Sequence, residues 1–352
     1  MATFRVGVTA SYYNADGGFI DGGMDLTPLE NDPDIELVRV RKVPVLEPSD
    51  VRDLDALFIR EVELYNETSV HPNHRLTHLA RFGVGYDNIK VDVCNAHGVA
   101  LTTTPDASRR PMAVATLTFL LALASRLKEK ETCARMGAPG FQLGPQLIGV
   151  GFVGRTLGIV GLGNIGREVV RLAKVFDLNF VGYDPYVNND VFEELGVERV
   201  DLETLFKNSD FISLNCALTD ETRYMINMDY LCLMKPTAYL INISRGPVVK
   251  QADVVKILQD ERIAGAALDV FDPEPPSSDD PVFKLDKDKV ILTPHVIGFT
   301  DQIVSGICAA ATTSILAVKH GEVPKDLVNS SIVENVDWTA KLERYGAGQV
   351  LD

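Results

Sequence analysis

Positive charge is scarce in this chain. Its 352 residues carry 34 Lys and Arg against 49 Asp and Glu, a formal net charge of −15. That average field repels polyanions, and no Lys/Arg run breaks it, so nucleic acid and anionic membrane surfaces are excluded as expected partners. Cysteine is sparse too. Cys94, Cys133, Cys216, Cys232 and Cys308 are scattered, with neither a CxxC pair nor a zinc-type Cys/His spacing. Reduced thiols in a cytoplasmic compartment are expected, with no disulfide and no metal. Long apolar runs are missing as well. The longest, "MAVATLTFLLALA" from Met112 to Ala124, is short for a membrane span and flanked by arginines, which predicts a buried or dimer-interface helix. The first residues, "MATFRVGVTA", enter a strand pattern directly and carry no apolar secretory segment. Neither internal repeats nor low-complexity tracts interrupt the chain.

What is present is a large apolar fraction, 46%, enough for a sizeable core and two domains. From Leu157 onward "LGIVGL", "NFVGYD", "DFISLN", "AYLINI", "AGAALDV" and "VILTP" read as strands. Between them, "NIGREVVRLAKVF", "LETLFKN" and "VVKQADVVKILQD" have helical character. This alternation predicts a doubly wound α/β fold with a parallel sheet covered on both faces. A second series, "RVGVTA", "DLDALFIR", "LTHLARFG" and "VALTTT", precedes it and suggests a smaller domain. Tyr12 to Glu30 reads as a long loop, and the polar tail beyond about Glu334 as a peripheral extension ending in "GAGQVLD".

"GLGNIG" places Gly161, Gly163 and Gly166 just after a predicted strand and at the opening of a predicted helix. There the glycines allow a tight turn, close approach of backbone to a pyrophosphate, and tight helix–strand packing; the helix start supplies free N–H groups. The next strand ends in Asp184, placed to bond the adenosine ribose and to repel a 2′-phosphate. No basic residue follows in "PYVNND", so the expected cofactor is NAD rather than NADP.

In such sheets ligands bind beyond the carboxyl ends of the strands. Three of those ends carry unusual polar residues: Arg245 in "INISRG", Asp269 and Glu274 in "LDVFDPEP", and His295 in "TPHVIG". Hydride transfer to a carbonyl needs a proton donor, and histidine titrates in the right range. A carboxylate on its other ring nitrogen fixes the tautomer and favours imidazolium. A guanidinium can grip the carboxylate of a 2-oxo acid.

Together "GLGNIG", "YDP", "INISRG", "DVFDPEP" and "TPHVIG" resemble the D-isomer-specific 2-hydroxyacid dehydrogenase family, over most of the chain up to about "DLVNSSI". The resemblance implies a Rossmann-type cofactor domain, 106–298, inserted in a flavodoxin-like substrate domain made of 1–105 and 299–352, and a homodimer. It implies an NAD-dependent oxidoreductase interconverting a D-2-hydroxy acid and its 2-oxo acid. In that reading Arg245 binds the substrate, His295 is the acid/base, and Glu274 is its carboxylate partner. Asn164, Ile165, Cys216, Ile243, Ser244, Asp269 and Gly298 would line the cofactor site with the glycine loop and Asp184. "FGVGYDNI" matches a substrate loop in which Val84 and Gly85 present backbone N–H groups to a carboxylate, and Arg60 matches a further substrate-facing position. "DASRRPMAVATL" lacks the family's usual Ala-Glu pair, and Ala217 stands where many members have Pro. NAD-responsive corepressors share this resemblance and supply the alternative, a scaffold that binds protein partners; turnover of 2-oxo acids separates the two. Glu274 in place of Gln argues against a formate dehydrogenase, and Val84 in place of Lys against phosphite oxidation.

Overall fold

The structure is a computed structural model that describes residues 3–20 and 22–349. Asp21, within the Tyr12–Glu30 stretch, and Val350, Leu351 and Asp352 of the tail lie outside the described residues. The chain divides into two compact units, 1–108 with 299–352, and 109–298.

In the first unit, strands β1 (Phe4–Thr9), β2 (Ile35–Val40), β3 (Ala56–Ile59), β4 (His78–Arg81) and β5 (Ala100–Thr102) form an all-parallel sheet in the order β2-β1-β3-β4-β5. This is the strand order of flavodoxin-like sheets. β3 and β4 are buried at every position, as expected of central parallel strands covered on both faces. β2 sits at the edge and is only part-buried, so "IELVRV" shows no strong apolar signal and was not expected as a strand. The Tyr12–Glu30 stretch is tied down by a Tyr13–Phe19 bridge, a short helix Thr27–Glu30, and buried Tyr12, Leu26 and Leu29.

Asp301–Lys319 is the one helix among the described residues long and apolar enough to cross a membrane. Its Ile303, Val304, Ile307, Ala311, Ile315 and Val318 are buried, and it packs on β4, as the core helix of this unit. Thr300 caps its start by accepting from Ile303 N at 3.2 Å.

The tail is not a peripheral extension over its described length. Val336–Gly346 is a helix whose Trp338, Leu342 and Tyr345 fall at i, i+4 and i+7 and are all buried. Trp338 Nε1 donates to Thr77 O at 3.1 Å, and the Tyr345 hydroxyl donates to Asp55 Oδ1 at 2.8 Å. That apolar spacing could have been read from the sequence.

The second unit holds β6 (Thr156–Val160), β7 (Asn179–Tyr183), β8 (Glu198–Arg199), β9 (Phe211–Leu214), β10 (Tyr239–Asn242), β11 (Gly265–Leu268) and β12 (Val290–Leu292). They run in parallel in the order β8-β7-β6-β9-β10-β11-β12. The first six reproduce the strand order of dinucleotide-binding sheets. Alternate residues feed two cores. Leu157, Ile159 and Ile241 pack with Ala113, Leu120, Val169 and Ala173 on one face. Val160, Ile212 and Leu240 pack with Leu205, Val254 and Ile257 on the other. The run "LINI" is therefore apolar on both sides because helices cover both sides. The Met112–Ala124 stretch lies in the helix Pro105–Ala124, with Ala113, Phe119, Leu120 and Leu123 buried.

Candidate active site

The strand order of the second unit reverses between β6 and β9, which puts a ligand crevice at their carboxyl ends. The turn after β6 is built for close approach. Gly161 has φ +93°, and a Cβ there would meet Cys216 N at 2.7 Å. A Cβ at Gly166 would run into the Gly161 carbonyl, whereas at Gly163 nothing stands within 4 Å of where a Cβ would lie. The helix Asn164–Ala173 starts at this opening, with Gly163 at its N-cap, exposed Asn164, and Ile165 packed on the core. Free backbone N–H groups at an open, glycine-lined helix start suit a pyrophosphate, so the residues present fit a dinucleotide.

Asp184 follows β7. One oxygen, Oδ2, accepts from Leu162 N at 2.8 Å, and Oδ1 from Tyr186 N at 3.0 Å. The carboxylate therefore braces the glycine turn and is itself held in place by it. Arg167 Nε donates to Leu162 O at 2.7 Å, fixing the same turn from its other side. Burial pushes the Cys216 thiol up to about 11, with the Asp184 charge adding to it, so this cysteine is a neutral lining group. Arg199, on β8, donates to Asp184 O at 3.3 Å and to Asn189 Oδ1 at 2.6 Å. The stretch "PYVNND" holds no cation, but the fold brings one from the neighbouring strand.

After β10, Asn242 organises the turn that carries Arg245. Its Oδ1 accepts from Ser244 N at 3.0 Å and Ser244 Oγ at 2.9 Å, and its Nδ2 donates to Arg245 O at 3.1 Å. Asn242 is buried at the end of an otherwise apolar strand, a polar residue the periodicity hides. Arg245 Nη1 donates to Ser244 O at 2.9 Å, and Ile243 is buried behind it.

After β11, Asp269 is 1% exposed, yet its Oδ1 accepts three hydrogen bonds: from Thr293 Oγ1 at 2.6 Å, Val296 N at 3.0 Å and Ile297 N at 3.1 Å. Those donors flank His295 on both sides. His295 adopts φ +58°, a left-handed conformation costly for a non-glycine residue, and Asp269 is what holds it there. Burial raises the carboxyl of Asp269, opposed by these bonds and by the His295 charge.

Glu274 Oε1 hydrogen-bonds His295 Nδ1, and Oε2 accepts from Phe271 N at 3.1 Å. Burial alone would raise Glu274. The His295 bond and charge outweigh it, with further help from the Arg245 charge, and hold the carboxyl below its ordinary value. Arg245, Glu274 and His295 are thus one electrostatic group. The His295 side chain is 32% exposed, which leaves its ring accessible to a bound molecule. Gly298, buried, lies against Met112, whose Sδ occupies the space a Cβ would take.

Val84, Gly85 and Arg60 belong to the first unit. Gly83, just before Val84, has φ +96°, and its N donates to Thr104 Oγ1 at 3.2 Å, which shapes the turn. Arg60 lies over the rings of Tyr12, at 5.2 Å, and Phe82, at 5.4 Å, and pairs with Glu61 at 3.4 Å. A guanidinium held on two aromatic faces is positioned rather than freely solvated.

Residues 117–296 match the model of the D-isomer specific 2-hydroxyacid dehydrogenase, NAD binding domain. The chain is 39% identical to glyoxylate reductase of Korarchaeum cryptofilum over 285 residues, 81% of this chain and 85% of that protein. It is 37% identical to glyoxylate reductase of Pyrococcus furiosus over 288 residues, 81% and 85% of the two. The crystal structure of D-lactate dehydrogenase from Aquifex aeolicus complexed with NAD and lactic acid superposes with a TM-score of 0.79 at 26% identity, covering 92% of this chain and 99% of that one. With the dinucleotide crevice, the glycine turn and these relatives together, the chain belongs to the D-isomer specific 2-hydroxyacid dehydrogenase family.

Proposed function

We propose that this NAD-dependent D-2-hydroxyacid dehydrogenase acts on a small 2-oxo acid of the glyoxylate type, with His295 as acid/base, Glu274 as its partner and Arg245 as the substrate clamp. The observation that carries the roles is the hydrogen bond between His295 Nδ1 and Glu274 Oε1, with Arg245 close enough for its charge to act on the same carboxylate.

When bound, NADH supplies the hydride for C2 of the oxo acid, and NAD accepts it in reverse. The Nε2 edge of protonated His295 donates to the carbonyl oxygen as it becomes an alkoxide, and takes the proton back in the oxidative direction. Glu274 keeps Nδ1 protonated and stabilises the cation. Arg245 pairs with the substrate carboxylate and polarises the carbonyl. Val84, Gly85 and Arg60 are assigned to the substrate as well. Gly161, Gly163, Asn164, Ile165, Gly166, Asp184, Cys216, Ile243, Ser244, Asp269 and Gly298 are assigned to the cofactor side. The small-acid preference is supported by the glyoxylate reductases among the curated relatives. An NADH-oxidation screen from glyoxylate to phosphorylated and aromatic 2-oxo acids tests it; fastest kcat/KM with a bulky acid and none with glyoxylate sinks the small-acid assignment.

The chain is further proposed to form a homodimer and to work in the cytoplasm. Leu127, Met136, Phe141, Ile148 and Val153 are exposed within one segment of the second unit, an apolar surface that a second copy would cover. A monomer in sedimentation analysis removes that proposal. Among the described residues no cysteine is in a disulfide, as suits a reducing compartment. Recovery of the protein outside the cytoplasm in cell fractionation removes that one.

A further inference from the structure

The loops after β7 and β9 are linked above the end of β6, where strand order reverses. The Tyr186 hydroxyl, after β7, donates to Glu221 Oε2, after β9. Neither end is casual. Tyr186 N is anchored on Asp184 Oδ1 at 3.0 Å. Glu221 sits inside a turn closed by Thr219 N donating to Thr222 Oγ1 at 2.8 Å, by Thr222 Oγ1 donating to Ala217 O at 2.7 Å, and by Arg223 N donating to Thr219 O at 3.0 Å. The Tyr186 hydroxyl has its pKa raised, first by its bond to Glu221, then by burial and by the charges of Glu221, Tyr183 and Asp184, so two carboxylates converge on this one side chain.

We propose that Glu221 is a nucleotide-selectivity residue: Tyr186 holds its carboxylate on the adenosine side of the crevice, where it joins Asp184 in repelling a 2′-phosphate. This rests on the NAD reading above and deepens it. Selection would come from two carboxylates on neighbouring loops, one bonded to the glycine turn and one clasped through a tyrosine. Two cations oppose them. Arg199 is engaged by Asn189 Oδ1 and Asp184 O and lies over the Phe192 ring at 5.1 Å. Arg223 follows Glu221 in the same turn, and its charge acts on Tyr224. With Glu221 neutralised, Asp184 alone is left to oppose a 2′-phosphate against the charges of Arg199 and Arg223.

The test is direct titration of NADH and NADPH by their fluorescence against the whole protein, as wild type, Glu221→Gln and Asp184→Ser, at low and high salt. The proposal predicts that Glu221→Gln tightens NADPH binding roughly three- to tenfold and leaves NADH within about twofold, as expected for one exposed charge acting on a phosphate. It also predicts that this gain shrinks at high salt. If NADPH affinity is unchanged in Glu221→Gln while Asp184→Ser tightens it, or if both nucleotides shift together, Glu221 has no selective role although the NAD reading stands. A wild type that binds NADPH more tightly than NADH overturns both at once.

Discussion

Glu274 and His295, 21 residues apart in sequence, share a hydrogen bond between Oε1 and Nδ1 at the carboxyl end of the second sheet. The bond ties the loop after β11 to the loop after β12 and leaves only one ring nitrogen for chemistry. Replacing Glu274 by Gln keeps the shape and removes the charge. We expect kcat to fall about 10- to 100-fold while KM for NADH changes little. A Gln variant with unaltered kcat would mean that the carboxylate only packs.

Asp269 acts through geometry. It is bonded to Thr293, Val296 and Ile297, and so holds the left-handed turn in which His295 sits. Asp269→Asn leaves at most a neutral acceptor for two N–H groups and a hydroxyl. The expected result is a loss of kcat of tenfold or more with an altered pH–rate profile, since both the position and the surroundings of His295 change. Thr293→Val, which removes a single donor, should show a smaller loss of the same kind. A loss confined to KM for NADH would instead place Asp269 only against the cofactor.

Arg245→Lys keeps a cation but loses the planar fork. The prediction is a fall in kcat/KM for the oxo acid of about 10²-fold or more, with NADH affinity within about threefold. Equal losses for acid and nucleotide would argue for a structural role in the Asn242 turn.

Stability should depend on two histidines of the first unit, buried His78 and half-buried His74. Burial pushes His78 down to about 3 and His74, with help from the charges of Lys341 and His97, down to about 4. Both are neutral when folded, whereas the unfolded chain protonates them near the ordinary value of 6.5. Below that value the unfolded state binds more protons, so stability is full above it and is lost as pH falls toward the folded values. Each histidine contributes a slope approaching about 1.4 kcal/mol per pH unit in that window. Urea unfolding between pH 7 and about 5 checks this, and His78→Gln should flatten the slope by roughly one histidine's share. A parallel slope in wild type and variant would show that His78 is not the group titrating.

Much of the chemistry is written locally. A glycine turn between a strand and a helix, or a cation just past a buried strand, is recognisable within a few residues, which is why "GLGNIG", Asp184 and "INISRG" stand out in the sequence. Other features depend on neighbours far away in sequence. β2 and β8 are edge strands, half-buried or exposed, and lack the apolar run of a central strand. Arg199 meets Asp184 only because β8 pairs with β7. Asn242 reads as a flaw in an apolar strand until its three bonds to the Arg245 turn are seen. The closing helix was legible in principle, since Trp338, Leu342 and Tyr345 keep helical spacing amid polar residues. The polarity between them masked it.

The central claim is that His295, held by Glu274 and Asp269, moves the proton in a 2-oxo acid reduction. Its most direct test is the kcat of NADH oxidation with the best 2-oxo acid in His295→Asn, since asparagine tolerates the same left-handed backbone but cannot serve as the acid. The account predicts a drop of roughly 10²- to 10⁴-fold with NADH binding retained; turnover within a few-fold of wild type would contradict it.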